Sequence, residues 1–186
     1  TALATINGSA VGILATEKAA LCHKCTAKAA RFVRLCDAYS IPVVTVVNTE
    51  GFGKSEGDDQ AGGIRQAARM AGVYAEATTV KVAVLACADW RVAVQGCTVA
   101  PLAPEAAVTV LYKDEIFASD NIVNATKAKA AAYAKEVCSA NAAVANGAAD
   151  AIADAATARG AVAQALDMLA SKRTVRLAKK HGNITL

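Results

Sequence analysis

Gly51-Phe52-Gly53 and Gly62-Gly63 carry the clearest chemical signal in this chain. Glycine lets backbone N–H groups approach a ligand closely, and a helix N-terminus offers unpaired donors to an anionic oxygen. Gly51-Phe52-Gly53 reads as a turn and Gly62-Gly63 as the opening of a helix, so residues 51–63 form a candidate binding segment. Glu56, Asp58 and Asp59 make that segment acidic, which argues against free phosphate as the ligand. The competing reading is a plain turn followed by a helix capped by Asp58 or Asp59.

Other chemistry-bearing side chains are sparse. The chain has two histidines, His23 and His181, so no Ser/His/Asp arrangement can be argued from spacing. Glu50, Asp114 and Glu115 show no spacing that pairs them as acid and base, and no Walker or dinucleotide fingerprint occurs. Cys22-His23-Lys24-Cys25 is a lone CxxC; zinc would need two further ligands that no second CxxC or His pair supplies. It reads as incidental thiols near a helix start, with zinc or redox chemistry as the lesser alternative. The other cysteines, Cys36, Cys87, Cys97 and Cys138, mostly sit in apolar runs and read as small hydrophobes in a reducing cytoplasm. Burial or an interface is the expected role of Trp90.

The elements that must position residues 51–63 are legible on both sides. Ala29, Phe32, Val33 and Cys36 recur at helical spacing, and Pro42 is expected to close that helix because the residue before proline is pushed out of the α region. Val43, Val44, Val46 and Val47 make a short β-branched run, the pattern of a parallel strand covered on both faces. Residues 64–77 predict an amphipathic helix with Ile64, Ala67, Ala68, Ala71 and Tyr74 near one face and Arg65 and Arg69 on another. Residues 80–85 predict the next buried strand. Strand, helix, strand is a βαβ crossover, and ligands of open α/β folds gather at the carboxyl ends of such strands.

Elsewhere, Asn7-Gly8 predicts a hairpin within residues 2–14, and residues 17–25 read as a connector. Pro104 suits a helix first turn, with the helix running to about Ile116. Residues 121–145 predict one long alanine-rich helix with Lys127, Lys129 and Lys135 outward, closed by Asn146-Gly147. Residues 148–154 have low strand propensity. Residues 157–171 predict a last helix with Ala161, Ala165, Leu166, Met168 and Leu169 as its apolar face.

The runs RFVRLCDAYSIPVVTVVNTEGF and AGGIRQAARMAGVYAEATTVKVAVL, with Lys172-Arg173 and the terminal KKHGNI, resemble the carboxyltransferase family of biotin-dependent acyl-CoA carboxylases and decarboxylases, in its C-terminal half. The resemblance implies an α/β, crotonase-like (ClpP/crotonase) fold. It further implies that Gly51, Phe52, Gly53, Gly62 and Gly63 line the side of the site that receives carboxybiotin from a biotin carboxyl carrier protein. A partner chain carrying the N-terminal half would bind the CoA thioester, in a homo- or hetero-oligomer. After Leu85 the resemblance breaks. The family has there a turn with adjacent glycines, then a helix, whose N–H groups hold the carboxybiotin oxygen. Here Leu85-Ala86-Cys87-Ala88 leads directly to Asp89, so that segment is expected to be absent. Losing one oxyanion donor typically costs about 100- to 1000-fold in rate.

At 186 residues the chain fits one domain, residues 1–186, and 55% hydrophobic residues suffice for a core. A net charge of +4, concentrated near residues 173–180, suggests a docking or solvated tail more than a nucleic-acid footprint. No run has the length of a membrane span and no signal peptide is evident, so a cytoplasmic protein is expected. Three readings follow: a catalytic carboxyltransferase half; a degenerate structural or assembly subunit of the same family; and, last, a hydratase or isomerase of crotonase type, which lacks a visible catalytic carboxylate.

Overall fold

The computed structural model describes residues 1–17, 19–84, 88–100, 102–119 and 121–174. These fall into two compact units: Thr1–Arg91 together with the stretch from Arg159, and Val92–Ala158.

In the first unit, β1 (Ala2–Ile6) and β2 (Ser9–Ala15) form the expected antiparallel hairpin. Asn7 and Gly8 both adopt positive φ, 49° and 81°, which suits the primed turns whose twist matches paired strands. A short strand β3 (Ala19–Leu21) leads into α1 (His23–Ala38), so residues 17–25 are a strand and a helix start rather than a bare connector. α1 buries Ala29, Ala30, Val33 and Cys36, close to the expected face. Pro42 does not end this helix. Ser40 turns left-handed (φ 54°), its N–H bonds to the carbonyl of Asp37 at 3.1 Å, and Ile41 N–H bonds to the carbonyl of Cys36 at 2.8 Å. That pair of bonds is a Schellman motif, with serine in the position glycine usually takes.

β4 (Val43–Val46) pairs in parallel with β2 and with β6 (Lys81–Val84). The order β1-β2-β4-β6 therefore places the two valine-rich runs side by side at the centre, as expected. Val43, Val82 and Val33 are 0% exposed, and full burial stabilises each by about 1.5–3 kcal/mol over an exposed position. Between β4 and β6 lie β5 (Thr49–Phe52), α2 (Glu56–Gln60) and α3 (Gly63–Glu76). α1 and α3 share one core with the sheet: Leu14, Ala30, Val33, Cys36, Val43 and Val73, with Phe32, Met70 and Tyr74 packed against it.

The buried face of α3 keeps Tyr74 of the expected stripe but not Ile64, Ala68 or Ala71. Ile64 is 79% exposed, whereas Met70, Val73, Tyr74 and the capping Ala77 face inward. A hydrogen bond between Tyr74 Oη and Thr45 Oγ1, 2.9 Å, fixes this rotation from β4. Lys81 Nζ donates to the carbonyls of Tyr74 and Ala77, closing the C-terminus of α3 with a cation. Asp37 at the end of α1 accepts from the amides of Thr78 and Thr79, so one carboxylate anchors the start of β6 to α1.

The second unit pairs β7 (Trp90–Val94) in parallel with β8 (Ala151–Ala153). α4 (Pro104–Leu111) starts on Pro104 as expected, but Tyr112 breaks the run and α5 (Lys113–Phe117) follows. The expected single helix over residues 121–145 is two: α6 (Ile122–Glu136), capped by Asn121, and α7 (Ala140–Ala145), capped by Ser139. Ser139 Oγ accepts from Ala142 N–H at 3.1 Å, the competition with backbone continuity for which serine is disfavoured inside helices. Lys129 is not simply outward: it pairs with Glu115 and lies 4.9 Å over the Tyr112 ring. Asn146 and Gly147 (φ 70°) close α7 as expected.

The last helix, α8 (Ala158–Leu169), buries Val162, Ala163, Ala165 and Leu166. Ala165 and Leu166 are buried as expected, whereas Met168 is 58% exposed and Val162 and Ala163 take its place in the core. The sequence motif at residues 179–184 and Cys87 lie outside the described residues.

Candidate functional site

Residues 51–63 sit at the carboxyl end of β4, but their local structure is not the expected turn. Thr49–Phe52 is a strand, β5, paired in parallel with β3, with Leu21 opposite Phe52. Gly53 N–H then donates to the carbonyl of Leu21 at 2.9 Å. Thr49 Oγ1 donates to the carbonyl of Ala19 at 2.7 Å and accepts from Gly51 N–H at 3.2 Å. Long-range pairing with residues 19–21 thus turned an isolated glycine segment into a strand, a partner that no local pattern indicates.

The glycines divide by cause. Gly51 and Gly62 adopt positive φ, 111° and 77°, with no close neighbour where a Cβ would stand at Gly51. Gly53 and Gly63 are small because Asp58 occupies their space. A Cβ on Gly53 would collide with the Asp58 carboxylate, and one on Gly63 would come within 2.9 Å of the Asp58 carbonyl. Gly62 N–H bonds to the carbonyl of Asp59. The backbone donors of Gly51, Gly53 and Gly62 are therefore all engaged. Gly63 begins α3, whose N-terminus has no side-chain cap, so the start of α3 is the part of the segment that retains the donor character of a helix end. Phe52 is 46% exposed.

Asp58 does not cap a helix; Ser55 does. Ser55 Oγ accepts from Asp58 N–H at 3.1 Å and donates to Asp58 Oδ2 at 2.8 Å. The other carboxylate oxygen accepts from His23 twice, from the amide at 3.2 Å and from Nδ1 at 2.9 Å. Hydrogen bonding by His23, then by Ser55, holds the Asp58 carboxyl below its ordinary range. The ionised carboxylate fixes the Nδ1–H tautomer, which orients the ring. Sequence reasoning missed this pair, since 35 residues separate its members. The only local hint was Ser55, three residues before Asp58.

Beside this segment a cavity of about 330 Å³ opens at the carboxyl end of β2. Leu14, Ala15, Leu21, Cys25, Lys28 and Met70 are among its walls, and none of Gly51, Phe52, Gly53, Gly62 or Gly63 is. Arg69, on the face of α3 away from its expected apolar stripe, is half-buried, with its Nε sequestered from solvent. Among the described residues no group of three His, Cys, Asp or Glu side chains could hold a metal ion, and no helix is long and apolar enough to cross a membrane.

The segment expected to be missing centres on residues 85–87, which lie outside the described residues. Its flanks are informative. β6 ends at Val84 and β7 begins at Trp90. Asp89 N–H bonds to the carbonyl of Lys81, and Asp89 Oδ2 accepts from Lys81 N–H at 2.8 Å. Asp89 is thereby tied to Lys81 at the start of β6. Lys172 Nζ secures the tie, 2.7 Å from Asp89 Oδ2.

Comparison with known proteins bears on the whole chain. The carboxyl transferase domain family matches residues 1–184. The 12S subunit of methylmalonyl-CoA carboxyltransferase from Propionibacterium freudenreichii subsp. shermanii is 34% identical over 98% of this chain and 39% of that protein. The alpha subunit of methylmalonyl-CoA decarboxylase from Veillonella parvula is 33% identical over 100% of this chain and 39% of that protein. The alignment with the 12S subunit runs over 203 positions, more than the chain's 186 residues, so that relative carries internal segments this chain lacks. A transcarboxylase 12S structure, described as a hexamer assembly with methylmalonyl-coenzyme A bound, superposes with a TM-score of 0.91 at 32% identity, over 99% of this chain and 39% of that one. The α/β, crotonase-like fold expected from the sequence is thus the fold observed. The chain spans about two-fifths of the length of the relatives it matches, and it belongs to the carboxyl transferase domain family.

Proposed function

We propose that residues 1–186 form the C-terminal half-domain of the carboxyltransferase of a biotin-dependent acyl-CoA carboxylase or decarboxylase, supplying the carboxybiotin side of its site. The observation that carries this reading is the match along residues 1–184, joined to a TM-score of 0.91 against a relative that binds methylmalonyl-CoA. A partner chain with the N-terminal half binds the CoA thioester, and a biotin carboxyl carrier protein delivers carboxybiotin. Gly51, Phe52, Gly53, Gly62 and Gly63 remain the biotin-side segment of this proposal. Within it the uncapped start of α3 at Gly63 is the part suited to an anionic oxygen. Gly53 and Gly63 leave space for Asp58, which shapes the segment from behind. Carboxybiotin, when bound, supplies the transferable carboxyl group. Assembly as an oligomer and a cytoplasmic setting belong to the same proposal.

A second reading, a structural or assembly subunit of the family, follows from the sequence, which passes from Leu85 to Asp89 without the family's glycine turn, since positioned donors are what such catalysis requires. One experiment separates the two. Decarboxylation of malonyl-CoA or methylmalonyl-CoA with biotin is measured for the chain alone, with an N-terminal-half partner, and with that partner plus the family's glycine turn restored after Leu85. Activity is expected only when both are supplied. Turnover by the chain alone above a biotin-only blank overturns the proposed dependence. Silence after both repairs makes the chain a structural subunit.

A further inference from the structure

We propose that Cys22 and Cys25 form a thiol–disulfide exchange site, with Cys22 as attacking thiol, Cys25 as resolving thiol, and a small disulfide of the glutathione class as oxidant. The warrant is geometric. Cys22 is the N-cap of α1, in extended conformation, and its Sγ accepts from the Cys25 amide at 3.3 Å. An N-cap side chain must reach the third helical residue to satisfy that orphan N–H. Where the third residue is also cysteine, capping itself brings sulfur to sulfur, and here the Sγ atoms are 3.0 Å apart. Ser, Thr, Asp or Asn would cap more strongly, so a cysteine cap facing a second cysteine is hard to explain by helix stability alone.

Surrounding features favour the same chemistry. Cys22 is half-buried and Cys25 exposed, and Cys25 also lines the cavity at the carboxyl end of β2, so a small disulfide has a path in. The first turn of α1 contains no acidic residue. Its positive end favours a thiolate at the cap. The Cys25 thiol and then its amide, by hydrogen bonding, draw the Cys22 thiol below its ordinary value, against burial and the Asp58 carboxylate. The bond to Cys22 pushes Cys25 up, with Lys28 opposing. The asymmetry is that of a nucleophile and its resolving partner. The hydrogen bonds from His23 to Asp58 hold the residue between the cysteines, so the start of α1 is anchored while the sulfurs exchange.

The reaction balances in two displacements. The Cys22 thiolate attacks one sulfur of the disulfide, forming a mixed disulfide and releasing one thiolate. Cys25 then loses its proton and attacks Cys22 Sγ, closing the Cys22–Cys25 disulfide and releasing the second thiol. The protein loses two electrons and two protons, and the small disulfide is reduced to two thiols.

Lys18, Lys24 and Lys28 permit a direct test, because trypsin separates residues 19–24 from residues 25–28 and places one cysteine in each peptide. The full chain is equilibrated with reduced and oxidised glutathione, quenched by alkylation, digested and analysed by mass spectrometry. The expected product is the two peptides joined and lighter by two hydrogens, forming at least about 10-fold faster than glutathione adds to the half-buried Cys97. Cys25→Ser should accumulate glutathione on Cys22, whereas Cys22→Ser should leave Cys25 largely unmodified. Two separately alkylated peptides after equilibration with excess oxidised glutathione overturn the proposal. So does equal glutathione uptake by the two variants. The first readout needs no variant and stands even if one fails to fold.

Discussion

The two units differ at their centres: the first packs a valine-rich strand on all sides, and the second groups several exposed apolar side chains on adjacent helices, although the first also exposes Ile64 and Tyr39. In the first, the central strand β4 presents Val43, Val44 and Thr45 at 4% exposure or less, enclosed by neighbouring strands and by α1 and α3. In the second, Val110 is 75% exposed, Phe117 65%, Leu111 61% and Val123 61%, all on or beside α4, α5 and α6. Beneath these helices Val108, Ile116 and Ala130 form a buried cluster. Scattered surface apolar residues are ordinary, but several large ones in one helical group signal a partner.

The strongest way to break this contrast is to attack the first unit's centre. Val43→Asp places an unpaired carboxylate between β2 and β6 and should cost at least about 4 kcal/mol. Circular dichroism should show loss of cooperative unfolding, and a variant that melts within a few degrees of the parent would show that β4 is not the organising strand. Next comes Gly12→Ala. A Cβ there would overlap Cys36 Sγ and stand 3.2 Å from the Phe32 ring. Overpacking of this kind costs about 1–3 kcal/mol, read as a lower urea midpoint with unchanged slope.

The third test concerns pH. The folded-state pKa of Asp58 is depressed by His23 and Ser55. Its contribution is therefore complete above the unfolded carboxyl value of about 3.9 and is lost as pH falls through the lower folded value. Thermal melts from pH 6 down to pH 3 (about the range bracketing that value) should show stability falling at the acid end. Asp58→Asn should flatten that part of the profile, and an unchanged profile would remove Asp58 as the tie between α1 and residues 53–63. The smallest effect on folding belongs to the second unit. Leu111→Lys with Val123→Lys should change stability by only about 0.5 kcal/mol per site. Sedimentation should nevertheless show weaker self-association or partner binding; no change would leave the exposed helices without a role in assembly.

Local signals in the chain were reliable where the physics is local. Asn7-Gly8 defined a hairpin because only residues tolerant of positive φ suit its turn. Pro104 opened α4, Gly147 closed α7, and the valine runs became adjacent parallel strands because apolar β-branched residues on both faces require cover on both faces. The resemblance along several ordered motifs was enough to identify the family. Tertiary structure decided the rest. β5 exists because Ala19–Leu21 is there to pair with Gly51 and its neighbours. Tyr74 of α3 and Ala165 and Leu166 of α8 face inward as expected, but packing, not the local pattern, exposed Ile64 and Met168 and buried Val73 and Val162. His23 and Asp58 meet across 35 residues. Cys22 and Cys25 are close in sequence, yet their spacing alone could not distinguish incidental thiols from a capping pair. That distinction rests on where α1 begins, and α1 begins at His23 because β3 ends at Leu21 and Cys22 takes the extended cap conformation between them.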